Sequence, residues 1–175
     1  MSTVRQLIVD GTIVCELSTI DISQTYERVR GSYRARMRDG GLKQRTIWSG
    51  KLRTTITGNG LIPPGISLID FDSSFTLSCI GHLAVNTTNT SVVLPSARRS
   101  DAGSEPYGRA LNCGGKWNPT DVTMVGDTAN ITPVAGAEQY QVIWFPEIVV
   151  FADPPVEAHP EHGPTYSWSI VAEEI

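Results

Sequence analysis

Apolar and polar positions alternate with a period of two along much of the chain, the pattern of strands whose successive side chains point to opposite faces. The run from Arg5 to Leu17 predicts two short strands around Asp10-Gly11, a dipeptide suited to the positive φ of a tight hairpin turn. Further on, Arg34, Arg36 and Arg38 alternate with Tyr33, Ala35 and Met37, which places charge on one face and apolar side chains on the other. Asp39-Gly40-Gly41 predicts a turn, and Lys43 and Arg45 lead a return strand that ends near Trp48. A third strand runs from Lys51 to Thr57 and stops at Gly58-Asn59-Gly60. The same region supports a rival. Ile22, Tyr26, Val29, Tyr33 and Met37 are three and four residues apart, so a helix within Ile20 to Arg38 is the competing expectation.

Leu61-Ile-Pro-Pro-Gly65 predicts a rigid connector, because each proline fixes φ and removes a donor. Phe75 to Ile80 reads as a buried strand. The stretch from Thr87 to Gly115 lacks a sustained period and has few large apolar residues, so it predicts a long loop or arm ordered by a neighbour. Strand character returns at Ala129 to Val134, Tyr140 to Phe145, Glu147 to Phe151 and Tyr166 to Ala172, with Pro146 marking an edge or a bulge. The expected fold is mainly β: an antiparallel β-sandwich or barrel with long loops and at most one short helix. It is expected to form a single domain over residues 1–175, with the loop or arm at about 87–115.

Composition changes this picture little. Apolar residues make up 40% and charged residues 18%, which excludes a disordered polyelectrolyte. No apolar stretch approaches the roughly 20 residues of a membrane helix, and the first residues lack a signal-peptide pattern, so no membrane association is expected. Cys15, Cys79 and Cys113 are odd in number and widely spaced, which predicts reduced, mostly buried thiols.

Charge changes it more. Nine basic residues lie between Arg28 and Arg53 with Asp39 as the sole acid, a local net charge of +8. After Lys116 there is no Lys or Arg and there are nine carboxylates. Either the two parts pair within one chain, or the basic surface of one copy meets the acidic surface of the next and sets a head-to-tail register.

Candidate chemistry is sparse. Gly108 to Trp117 superficially resembles a phosphate loop, but Ala110 stands where the first glycine belongs and Trp117 where the Mg²⁺-binding hydroxyl belongs. His159-Pro-Glu-His162 supplies two imidazoles among prolines, a setting that predicts a solvated loop rather than a metal site. His82 has no Gly-x-Ser-x-Gly elbow to serve, and no paired carboxylates stand out. Neither catalytic residues nor cofactors nor metal ligands are expected. The arginines of the basic stretch, with Tyr26 and Tyr33 interleaved, could follow a phosphate backbone, but the compensating acidic third favours ionic contacts between proteins. Trp48, Trp117, Trp144 and Trp168 fall in or beside strands and are expected in core or interface. The candidate assembly residues are Arg34, Arg36, Arg38, Lys43, Arg45, Arg98 and Arg99.

Two stretches carry a resemblance. The run Arg36 to Gly65, centred on Trp48-Ser-Gly-Lys, and the pair Tyr140-Gln-Val-Ile-Trp-Phe-Pro146 and Thr165 to Glu174 are similar to small virion structural proteins of tailed bacteriophages. Together they span 47 of the 175 residues. The resemblance implies a non-enzymatic subunit of tube, collar or baseplate, a homo-oligomeric ring that contacts other tail proteins, and DNA passing non-specifically through a lumen. It also implies residence in the virion after synthesis in the host cytoplasm. The alternative expectation is a monomeric β-sandwich binding module for a carbohydrate or protein ligand.

Overall fold

The computed structural model describes residues 5–14, 16–159, 161 and 165–175. It is an all-β chain with antiparallel pairing throughout and a single short 3₁₀ turn at Glu16–Ser18 among the described residues. Two compact units share the chain: one takes Met1–Ile13 and Leu77–Ile148, the other Val14–Thr76 and Val149–Ile175.

In the first unit, β1 (Ile8–Val9) and β2 (Thr12–Ile13) form the expected hairpin, with positive φ at both Asp10 and Gly11. Strand β5 (Phe75–Ser78) pairs with β1 through Leu77 and Ser78. Two further sheets make the main body of this unit. One is formed by β6 (Leu83–Thr87), β12 (Ala137–Trp144), β8 (Tyr107–Asn112) and β9 (Trp117–Thr120), in that order. The other is β10 (Val122–Val125), β11 (Thr128–Ile131) and β7 (Ser91–Val93). Ala110, Tyr140, Val142 and Trp144 from the first sheet share one core cluster with Ala129 and Ile131 from the second, a sandwich-like arrangement.

The region expected to be a long loop, 87–115, thus contains β7 and β8. Leu94 and Ala110 are buried in the core cluster, which anchors the stretch from within its own unit. Its sequence shows no sustained period because its strands, of three and six residues, are short.

The second unit is dominated by two long strands, β3 (Asp21–Arg36) and β4 (Leu42–Gly60). At 16 and 19 residues they are about three times the usual length. The helical alternative for Ile20 to Arg38 is not realised: β3 pairs with β4 along its whole length, and a period of two governs its burial. Strand β15 (Tyr166–Glu174) pairs with β4 from Gly60 to Arg53. Its other edge takes β13 (Glu147–Ala152) and β14 (Val156–Ala158).

Gly58 and Gly60, expected to end a strand, sit inside β4. A side chain at Gly58 would run into the Trp168 indole, and one at Gly60 into the backbone of Leu17 and Ser18. These glycines serve close approach rather than a turn. Trp168 Nε1 donates to the Ser18 carbonyl at 2.9 Å, so the indole that fills the space over Gly58 is also hydrogen-bonded. Thr54, Ile56, Trp168, Ile170 and Ala172 bury the same face of the sheet.

Candidate assembly surface on the β3–β4 hairpin

The sheet that contains β4 has three or more strands only as far as residue 53. At Arg53 the ladder to β15 ends on Glu173, and the two side chains form an ion pair at 3.2 Å. One residue further, the Leu52 amide donates to Glu174 Oε2 at 2.9 Å, and Lys51 Nζ donates to the Ile175 carbonyl. Beyond this clamp, Leu42 to Gly50 pairs with β3 alone.

The change coincides with two bulges. Between Val29 and Ser32 on β3, strand β4 has two extra residues, because Val29 faces Lys51, Gly31 faces Trp48 and Ser32 faces Thr46. Gly50 has φ +90°, a conformation glycine adopts without strain, which lets the bulge form where the ribbon leaves the sheet. Ser49-Gly50, expected to separate two strands, lies inside β4. At the far end, Met37 N donates to Gly41 O at 2.8 Å and Gly40 N to Met37 O at 2.9 Å, with the Asp39 carboxylate accepting from Gly41 N. The predicted Asp39-Gly40-Gly41 turn is therefore present.

Between these two points the ribbon is bare. From Ser32 to Gly50 every residue except Ala35 is exposed, including Tyr33 at 66%, Ile47 at 76% and Trp48 at 51%. Cross-strand pairing assigns the faces. Tyr33 lies opposite Arg45 and Ala35 opposite Lys43, while the Trp48 indole covers Gly31 on the same side. The other face carries Arg34 beside Gln44, bonded at 2.9 Å, and Arg36 beside Leu42. Arg38 is exposed in the turn. The structure thus brings together five of the expected residues: Arg34, Arg36, Arg38, Lys43 and Arg45. Among the described residues, none of these five is in an ion pair. One aromatic–cationic face and one guanidinium-rich face suit a partner that offers carboxylates and flat apolar side chains.

Arg98 and Arg99 belong to the first unit and are committed there. Arg98 pairs with Asp127 at 2.8 Å and donates to the Pro95 and Gly126 carbonyls. Arg99 is 2% exposed, so it is no surface contact. Its guanidinium donates to the Gln6 and Cys79 carbonyls at 2.8 and 3.0 Å and forks onto both Asp101 oxygens at 2.8 Å. Asp101 is held below the ordinary carboxylate value of 3.8, chiefly by the Arg99 hydrogen bonds, against the opposing effect of partial burial. Nearby, Arg5 lies 4.2 Å from the centre of the Phe145 ring and donates to Gly103 O. The irregular part of the predicted arm, between β7 and β8, is thus tied down by its own arginine.

The remaining candidates separate on burial. Trp144 and Trp168 are core residues, whereas Trp48 and Trp117 reach the surface. Cys79 is a buried free thiol; Cys113 is free but exposed, contrary to the expectation of burial, and Cys15 lies outside the described residues. His159 Nε2 is 3.3 Å from Glu157 and stacks edge-on against Tyr166, while His162 lies outside the described residues. No helix among the described residues is long and apolar enough to cross a membrane.

No protein-family model, curated protein or solved structure matches the chain.

Proposed function

We propose that the chain is a non-enzymatic structural subunit that assembles through the distal β3–β4 hairpin, and that it forms or joins a ring in the tail of a tailed-bacteriophage virion. The observation that carries the assembly reading is the ribbon itself. A two-stranded hairpin in water is marginally stable, and this one leaves five cations exposed together with Tyr33, Met37, Leu42, Ile47 and Trp48. A partner surface is the physical source of order for such a ribbon. The virion reading rests on the resemblance of Arg36 to Gly65, the stretch that includes the return strand of this hairpin, to small phage structural proteins.

Negative-stain images and a mass measurement on the purified protein test this. Rings or tubes are expected at low salt. The double variant Arg36→Glu/Arg45→Glu is expected to remain a folded monomer, and added salt to act in the same direction. Normal assembly by that variant overturns the reading. A binding module that uses tryptophans has Trp48 and Trp117 available to it. A monomer that binds a glycan array and loses binding on Trp48→Ala would establish that second function instead.

A further inference from the structure

We infer that the distal hairpin of one copy docks into an acidic, aromatic groove on the second unit of another copy, so that assembly runs head to tail. This rests on the assembly reading above and names the surface that receives the arm.

The groove is made of two adjoining hollows of about 410 and 400 Å³ that share Phe71. The first carries Asp70, Asp72 and Glu157 beside Phe71, with no Lys or Arg in its lining. The second continues past Asp153 and Phe151. Its one arginine, Arg53, is already paired with Glu173. Asp70 and Asp72 are exposed, as are Asp153 and Phe151. Hollows of this size accept bulky side chains.

The chemistry of the arm matches the groove point for point. Arg34, Arg36, Lys43 and Arg45 have no carboxylate of their own, and the groove presents Asp72 and Asp153. Beside them are Asp70, which accepts from Ser73 and the Asp72 amide, and Glu157, which sits 3.3 Å from His159. Tyr33 and Trp48 are exposed next to those cations, and the groove presents two phenyl rings for stacking or cation–π contact. The arm of a given copy leaves its own groove empty, since its residues 36–50 are all exposed. The match of charge and rings between two surfaces of the same chain names a second copy as the occupant. An arm and a groove at different places on one subunit make a heterologous contact, which closes into a ring or propagates as a tube.

Two variants test the junction, each checked by thermal melting to be folded. The arm variant is Arg36→Glu/Arg45→Glu, and the groove variant is Asp72→Lys/Asp153→Lys. Each alone is expected to be monomeric at low salt. Mixed one to one, they are expected to form a heterodimer and nothing larger, because one intact arm and one intact groove remain. The milder Asp72→Asn/Asp153→Asn is expected to weaken assembly at least tenfold. A groove variant that assembles like the wild type overturns the docking site but leaves the arm-dependent subunit reading in place. Wild-type protein that stays monomeric at high concentration and low salt overturns both. Tight binding of a short DNA duplex that is lost in the arm variant, with assembly untouched, would assign the arm to nucleic acid and overturn the inference.

Discussion

Arg99 and Arg36 are the same side chain in opposite circumstances, and the regions around them differ accordingly. In the first unit, an irregular basic loop folds around a buried guanidinium that finds backbone carbonyls and a carboxylate fork. On the second unit, a far more basic segment forms a regular ribbon, yet Arg36 meets only the Gly40 carbonyl. Regularity of backbone and completeness of bonding are thus uncoupled here. The loop uses its charge to hold itself together; the ribbon leaves its charge unspent on the fold.

Substitution should separate the two most clearly. Arg99→Met is expected to lower unfolding free energy by about 3 kcal/mol, since it removes a buried guanidinium's hydrogen bonds to the Gln6, Ser78 and Cys79 carbonyls as well as its fork onto Asp101. Arg36→Met is expected to stay within about 0.5 kcal/mol, as befits an exposed site. Urea titration of both variants checks this; comparable losses would mean that the ribbon is held by its own charges. Next in size are two isoleucines on the same strand. Ile56→Ala removes a fully buried side chain and should lower stability by about 2–5 kcal/mol, with Ile47→Ala close to neutral. Gly58→Ala should lower stability by about 1–3 kcal/mol through overpacking against Trp168, and co-substitution of Trp168 by a smaller residue should change that cost.

The smallest expected effect is on pH. Asp101 is held below its ordinary value in the folded state, so its contribution to stability is full above the ordinary carboxylate range. That contribution fades as pH falls through the lower, folded value. Because the Asp101 carboxylate is half exposed, solvent screening keeps the effect small. Melting curves in the acid range should show a shallower decline for Asp101→Asn than for the wild type. Identical slopes would remove this ion pair as a contributor.

How much of this was legible in the sequence follows from what each signal depends on. The Asp10-Gly11 and Asp39-Gly40-Gly41 turns are local chemistry and were read directly. The two long strands were read in fragments, because Gly50 and Gly58 are breakers by type and only their surroundings show why they are not. At Gly58 the surrounding is Trp168, more than a hundred residues away in the chain. Arg98 and Arg99 looked like the arm arginines because adjacency in sequence carries no record of which carbonyls lie nearby. The exposure of Arg34, Arg36, Arg38, Lys43 and Arg45 was legible for a simple reason: a net charge of +8 over 26 residues cannot be buried.

The ladder between β15 and β4 also sets an order in time. The β3–β4 hairpin closes on local contacts, a microsecond event once its strands exist. Its root is completed only by Tyr166–Glu174, roughly 115 residues later, and Asp153 and Glu157 also emerge late. At about 5–20 residues per second, translation takes on the order of ten seconds to cover that distance. During that interval nascent chains display like-charged ribbons, which repel one another, and lack the nine carboxylates that follow Lys116. Under the assembly proposed above, the same repulsion holds copies apart on a polysome until each sheet can be finished.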